Sequence, residues 1–590
     1  MCSQFAELHA HSSYTFLTGA ATPQKLVQEA WNLGLSSLGV LERDGLYSAV
    51  QVAEAVRYLE EDCAAGIIPK RPTLGTVFGA ELTLSKKHHK ADETAALLPI
   101  LVRDHTGYSQ LSRIIGEAHL RGQDKDKVHY LTSELQQLAQ QGHCWFITGG
   151  RNSTLRRVLD TAGKTAAARE LAAFVASYGA DNTLVELVFE GIVGEAERND
   201  ILVELCQQHI PPIRYFATTN PTTAFPRQNK NAAAAAALKK RSTLDDNRGY
   251  GLPQGGSFLR SAAEIKRLAG PHHEAIQRAH QIGQECAFDL QLLSPGLPPY
   301  PLPDGENEDS YLRILSLKGA AERYGDSTQH PAAYGQIEHE LSVIKKLGFA
   351  GYFLIVYDIV QFCRRSNILC QGRGSAANST VCYSLGVTAV DPIANELLFE
   401  RFLSPERDGP PDIDIDIESQ RREEVIQYVY RRYGRECAAQ VANSITYRKR
   451  SAVRDAARAL GYSPGQQDAW SKSVSRLHSL PRPASADPPP KDKLPADKLP
   501  PLVKELAEGF LRNPRHMGIH SGGMVLCDRP ITEVVPVEWG RKEGRTVLQW
   551  DKDDCAAVGL VKFDLLGLGM LTVLHECLDL LEENFHKKYN

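Results

Sequence analysis

Between Phe5 and about Thr223, short runs rich in β-branched and other apolar residues alternate with amphipathic stretches. The runs are LSSLGVLE, TVFGAELTL, ALLPILVRD, HCWFITGG, NTLVELVF and IRYFATTN, separated by segments such as PQKLVQEAWNLG. Strands that alternate with helices predict a βα-repeating domain built on a mostly parallel sheet or barrel. The run Ala232 to Ala237, followed by Leu238 and Lys239, predicts one helix and carries no functional message. From about Asp309 the pattern is helix-rich and ends in a loop around Gly372 and a helix through Tyr383. A strand from Pro411 to Glu418 follows, then basic helices. The segment His478 to Leu502 is dense in proline, which removes backbone donors and favours extended conformations, so it reads as a mobile loop or insertion. Beyond it lie a β-rich block, GIHSGGMVLCDRP through GLVKFDLLGLG, and one last helical segment. There is no internal repeat.

The length of 590 residues gives room for roughly three to five domains. No apolar run approaches the roughly 20 residues that cross a bilayer, and the start MCSQFAELHAHSSY has no basic-then-apolar leader. The expected compartment is the cytoplasm, with no membrane partner. The 12 cysteines are scattered without a CxxC pair and read as reduced thiols. The formal net charge of -4 excludes a uniformly basic coat, although a local basic channel needs no global excess. Such an excess runs through Arg421, Arg422, Arg431, Arg432, Arg435, Arg448, Lys449, Arg450, Arg454 and Arg458. It is a candidate phosphate-backbone surface, against the plainer reading of a solvated helix face.

Candidate chemistry gathers in three places. In Pro411-Asp412-Ile413-Asp414-Ile415-Asp416-Ile417, a strand would project the three carboxylates from one face and bury the isoleucines on the other. Divalent cations would offset the repulsion, and hard oxygen ligands suit Mg2+, with Mn2+ as the alternative; an acidic solvent face is the competing reading. Gln371-Gly372-Arg373-Gly374-Ser375 is a glycine-rich turn feeding a helix, which can bring amides and a guanidinium to phosphate oxygens. In Gly559 to Asp564, Asp564 is a candidate third carboxylate for a two-metal site, and Lys562 shares its strand face by alternation. A further group near the start, Glu7, His9 and His11 with Glu81, has the His-x-His spacing of a metal site on a strand. No organic cofactor is expected.

Taken together, GRGSAANS, PPDIDIDIESQRREEVIQYVYRRYG, RHMGIHSGGMVLCDRPI and LQWDKDDCAAVGLVKFDLLGLGML resemble the palm motifs of the C-family bacterial DNA polymerases, the DNA polymerase III alpha type. GRGSAANS and QWDKDDCA look particularly like the error-prone subgroup. The resemblance implies an α/β and α+β multidomain chain. It would comprise a PHP-type βα barrel at 1–270, a nucleotidyltransferase-like palm at 271–441 and 512–590, and an inserted helical thumb at 442–511. It implies DNA-directed DNA synthesis of the error-prone, repair or translesion type, with two Mg2+ ions. By the same resemblance Asp414, Asp416 and Asp564 are the catalytic metal ligands. Gly372, Arg373, Gly374, Ser375 and Lys562 contact dNTP phosphates, and Arg448, Lys449, Arg450, Arg454 and Arg458 contact DNA. The implied partners are primer-template DNA, dNTPs, a sliding clamp and accessory mutagenesis proteins.

Two departures qualify it. His9, His11 and Glu81 are kept, but Glu42-Arg43 stands where PHP domains carry Asp-His, Ala96-Leu97-Leu98-Pro99 lacks an expected histidine, and Asn220-Pro221-Thr222 replaces Asp-x-His. A vestigial, structural PHP site without phosphoesterase activity is expected. The chain also stops soon after Asp564, before the fingers; it is then a shorter product or fragment, or a second polypeptide supplies the rest. The alternatives are a PHP-type metallophosphoesterase and a non-catalytic DNA-binding remnant.

Overall fold

The computed structural model describes residues 4–84, 96–125, 127–150, 152–246, 256–290, 296–403, 413–476 and 499–585. Most of the proline-dense stretch, and Asp412, lie outside the described residues. The chain forms two compact units, Met1–Leu293 with Asn443–Gly518, and Ser294–Ala442 with Ile519–Asn590.

The first unit is built on seven strands in chain order, β1 (Ala6–Ala10), β2 (Ser37–Arg43), β3 (Gly75–Leu84), β4 (Ala96–Val102), β5 (Cys144–Ile147), β6 (Thr183–Val188) and β7 (Arg214–Thr218). β2 to β7 each fall in a run that the hydrophobic pattern marks, and β1 does not. β1 to β3 pair in parallel, as do β5 to β7, while β4 runs antiparallel to both its neighbours. The sheet is nearly closed: the backbone N–H of His11, just past β1, donates to the carbonyl of Pro221, just past β7. Helix Pro23–Leu33 shows how the local signals act. Thr22 caps its start by accepting from Lys25 N–H, a proline occupies the first turn, and Gly34 ends it in the left-handed region. Its face of Leu26, Val27, Ala30 and Trp31 enters the core.

The segment returning to this unit supplies helices Lys449–Ala459, Pro464–Arg476 and Pro501–Phe510. The alanine run forms helix Asn229–Lys239, as its composition predicts. Ala234 and Ala235 join Ala452, Ala456, Val503 and Phe510 in one buried cluster, where the small side chains allow close helix approach.

The second unit is organised by another seven-stranded sheet. Its strands are β8 (Cys370–Arg373), β9 (Asp414–Glu418), β10 (Ala438–Thr446), β11 (Pro514–Leu526), β12 (Val537–Trp539), β13 (Thr546–Leu548) and β14 (Lys562–Leu568), in the spatial order β12-β13-β10-β11-β14-β9-β8. Ile413, Ile415 and Ile417 alternate inward, as the motif predicts, and meet Phe563, Leu565 and the central helix Ala350–Arg365 in the core. No helix among the described residues is long and apolar enough to cross a membrane.

Candidate active site

The solvent-side face of the second sheet collects the predicted residues. β9 and β14 are parallel neighbours in which Asp414 is the register partner of Asp564 and Asp416 that of Leu566. On the far side of β9, antiparallel β8 places Arg373 beside Asp414. On the far side of β14, antiparallel β11 places Gly523 beside Asp564. One row across four strands therefore reads Gly523, Asp564, Asp414, Arg373, and register partners share a sheet face. Tyr352 pins the entry of this row: its hydroxyl accepts from Ile413 N–H at 3.1 Å and its ring stacks on Phe563 at 4.8 Å.

Side-chain cations already answer these acids. Arg373 reaches Asp414 Oδ2 at 3.3 Å through Nη2 and Asp416 Oδ1 at 3.1 Å through Nε. Lys562 donates to Asp564 Oδ2 at 2.6 Å, whereas Asp564 Oδ1 is buried and takes no hydrogen bond. Burial pushes the Asp416 carboxyl above its usual range, with Arg373 opposing. The three aspartates fit divalent ions in donor type, and the bare Oδ1 of Asp564 leaves a lone pair to offer, but with Arg373 and Lys562 on them their oxygens do not all come within 4.8 Å of one another.

The glycine turn is shaped by close approach. A Cβ on Gly372 would meet the Val387 carbonyl oxygen at 2.9 Å, and its N–H donates to that oxygen at 2.6 Å. Gly374 sits at φ 70°, in the left-handed region. The turn runs into a 3-10 segment, Gly374–Asn378, and only then into helix Thr380–Ser384. That helix start is already satisfied, because buried Glu340 accepts from Thr380 N–H at 2.9 Å, Val381 N–H at 3.0 Å and Ser379 Oγ at 2.7 Å. The anion-attracting helix terminus read from the sequence is thus occupied by this chain's own carboxylate. What remains for phosphates is the turn itself, with exposed Arg373 and half-buried Ser375.

His520 is a neighbour that sequence reasoning missed. Its Nδ1 accepts from Gly523 N–H at 2.8 Å, which leaves the proton on Nε2, and it lies 4.0 Å from Asp564 Oδ1. Burial is the main cause that holds this imidazole below its usual range and neutral. The signal was in hand: a histidine two residues before a Gly-Gly pair in GIHSGG.

In the first unit, His9, His11 and Glu81 come together, with one ligand atom from each within 4.8 Å of the others. They are the only such trio of metal-capable side chains among the described residues. Arg43 Nε and Nη2 bind Glu81 Oε2 at 3.1 and 2.7 Å. Glu42 is walled in by the hydroxyls of Ser12, Thr15 and Ser48, and Glu7 by Thr218 and Thr219, so neither faces the trio with a free oxygen. The basic run divides. Arg422 ties the backbone of β14 and β11 by donating to Leu565 and Ser521 carbonyls, and Arg435 donates to Gly544. On helix Lys449–Ala459, Arg454 pairs with Asp468 at 2.6 Å, while exposed Arg448, Arg450 and Arg458 make no salt bridge among the described residues; Lys449 is half-buried.

Two family models match: the PHP domain over residues 7–188, and the bacterial DNA polymerase III alpha NTPase domain over 310–567. Proteins named error-prone DNA polymerase are similar to nearly the whole chain. Those of Mycolicibacterium paratuberculosis and Mycobacterium tuberculosis are 52% identical over 98% of it, covering 51% and 50% of their own length. That of Corynebacterium efficiens is 45% identical over 98%, covering 48%. The chain therefore carries the two domains that these models describe. It spans about half the length of the curated relatives it matches. Among solved structures, a metal-dependent phosphoesterase from Bifidobacterium adolescentis matches with TM-score 0.24 at 13% identity, over 45% of this chain and 96% of that one. An amidohydrolase from Chromobacterium violaceum matches with TM-score 0.22 at 11% identity, over 37% and 87%. At these values the likeness carries no argument. Asp414, Asp416 and Asp564 lie within the range matched by the polymerase III alpha model, and His9, His11 and Glu81 within the range matched by the PHP model.

Proposed function

We propose that this chain carries the catalytic carboxylates of an error-prone DNA-directed DNA polymerase, which extends a primer 3'-hydroxyl with dNTPs opposite a template. One observation carries the reading: Asp414 and Asp564 are register partners on neighbouring strands, with Asp416 two residues along the same face. Asp414, Asp416 and Asp564 would hold two Mg2+ ions, or Mn2+. Bound there, the ions would supply activation of the primer hydroxyl and neutralisation of charge on the departing pyrophosphate. Every other part is done by side chains. Arg373, which bridges two of the acids and is half-exposed, can exchange them for triphosphate oxygens, with Ser375 and the Gly372–Gly374 backbone alongside. Lys562 donates to Asp564 Oδ2 and adds positive charge at the same place. Neutral His520, held by the Gly522 and Gly523 amides, keeps the β11 side of the row in shape. Arg448, Lys449, Arg450, Arg454 and Arg458 would meet the DNA backbone. A sliding clamp, accessory mutagenesis proteins and a polypeptide segment supplying the fingers belong to the same reading, as does a cytoplasmic location.

The purified protein with a primed template, dNTPs and Mg2+ tests it. Extension is expected once a polypeptide that supplies the fingers is added, and Asp414→Ala and Asp416→Ala are expected to abolish it. Direct Mn2+ binding, read by electron paramagnetic resonance, reports the site independently of turnover; wild-type and Asp416→Ala proteins that bind Mn2+ equally would overturn the assignment.

A further inference from the structure

The His9, His11 and Glu81 trio has the shape of a metal site and the wrong charge for one. Both imidazoles are preset. His9 Nδ1 is held by Glu186 at 2.9 Å and His11 Nδ1 by the Leu41 carbonyl at 2.7 Å, so each ring turns Nε2 into the cluster. His9 is fully buried, and its Nε2 has no hydrogen-bond partner; the nearest acid oxygen, Glu81 Oε1, is 3.7 Å away. Three donors with this arrangement could grip one divalent ion.

The one carboxylate of the trio is already spent. β2 lies between β1 and β3, and Arg43 at its end is the register partner of Glu81 on β3. The guanidinium therefore reaches Glu81 through two N–H groups without leaving its own strand, and only about a quarter of its side chain is exposed. A dication in the trio would share a single carboxylate with a fixed cation, and the other buried acids nearby are engaged elsewhere, Glu7 and Glu42 by hydroxyl donors and Glu186 by His9 Nδ1. We propose that Arg43 is a built-in cation that has taken the place of the metal ion, so that the first unit is held together at this point by a guanidinium and takes up no divalent ion there. The bare Nε2 of His9 and the imidazole of His11 are what is left of the ligand shell. Removing the guanidinium should reopen it.

The experiment uses the full chain with Asp414→Asn and Asp416→Asn in the background, so that ions at the aspartate row do not register. Without further change, Mn2+ or Zn2+ should leave the unfolding temperature where it is, and no metal should survive dialysis against a chelator. Arg43→Ala should lower the unfolding temperature by several degrees, and Mn2+ or Zn2+ should restore most of the loss. Adding His9→Ala should remove that restoration. An unaltered unfolding temperature in Arg43→Ala, or a loss that metal cannot restore, would sink the proposal. So would a metal-dependent rise with Arg43 intact that His9→Ala abolishes. Should Arg43→Ala fail to fold, Arg43→Lys and Arg43→Gln decide. A stable, metal-indifferent Lys variant beside a weakened, metal-responsive Gln variant supports the proposal, and equal behaviour of the two overturns it. None of these outcomes depends on whether the chain polymerises DNA.

Discussion

Two places in this molecule gather candidate metal ligands on one sheet, and in each an acid is answered by an arginine on a neighbouring strand. In the first unit Arg43 meets Glu81 across the β2–β3 register, and the pair is largely shut away from solvent. In the second, Arg373 meets Asp414 across the β8–β9 register, but its side chain is half-exposed and divides itself between Asp414 and Asp416. The topology of the contact is the same, and the difference is access. A guanidinium that can exchange a carboxylate for water or phosphate at little cost is a placeholder, whereas one bound by two donors in a buried setting is a permanent part of the core.

The largest expected effect breaks the exposed site. Asp414→Ala or Asp416→Ala should lower primer extension on the order of 10^3-fold or more, the scale set by removing one stabilising group from a centre where charge develops. Unfolding temperature should change little, because Asp414 and Asp416 are not part of the apolar core. Glu81→Ala should do the reverse. It leaves Arg43 without its partner in a largely buried setting and should cost about 3 kcal/mol of stability, measured by urea unfolding, with extension falling only as far as folded protein is lost.

Arg373→Ala sharpens the comparison at intermediate magnitude. Loss of charge-assisted hydrogen bonds worth about 1.5–3 kcal/mol should raise the dNTP KM roughly 10- to 100-fold in primer extension. The same change removes the cation that competes for Asp414 and Asp416, so Mn2+ affinity measured without nucleotide should rise. Opposite movement of the two affinities, nucleotide weaker and Mn2+ tighter, is the signature of a placeholder. A fall in both would make Arg373 an ordinary structural arginine like Arg422.

Much of this was legible in the chain. The apolar runs located all of β2 to β7, and alternation alone gave the inward isoleucines and the shared face of Lys562 and Asp564, which are in direct contact. What could not be read were pairings between distant segments. Nothing in ALLPILVRD says that β4 runs antiparallel, because strand direction is set by neighbours and not by the run itself. The Asp414–Asp564 register joins two strands about 150 residues apart, and nothing in the spacing of either segment specifies it. Glu340 looked like any helix residue, yet its carboxylate takes the amides that the sequence had offered to phosphate. Arg422 read as part of a basic surface and instead ties two strands, since a guanidinium is as suited to carbonyl oxygens as to phosphate.

The smallest effect comes from a third acid, Glu423, which extends the comparison to a carboxylate with more cations than it needs. It accepts from Arg545 and, at 2.6 Å, from Lys542, and Gln427 adds a third hydrogen bond. Burial alone would raise its pKa, but these donors outweigh it and hold the group at about 2, below its ordinary 4.5. A carboxyl depressed on folding stabilises the fold while it is ionised in both states, so the benefit is complete above about pH 4.5 and disappears as pH falls towards 2. About a third of the side chain is exposed, so solvent screening limits the contribution to about 1 kcal/mol. Glu423→Gln should therefore be less stable than the parent by that amount near neutral pH, with the gap closing across the acid window and shrinking with added salt. Urea unfolding at several pH values measures it. A gap that persists unchanged into strong acid would mean that hydrogen-bond geometry, and not charge, makes this contact, and the contrast between fixed and exchangeable arginines would then need a basis other than electrostatics.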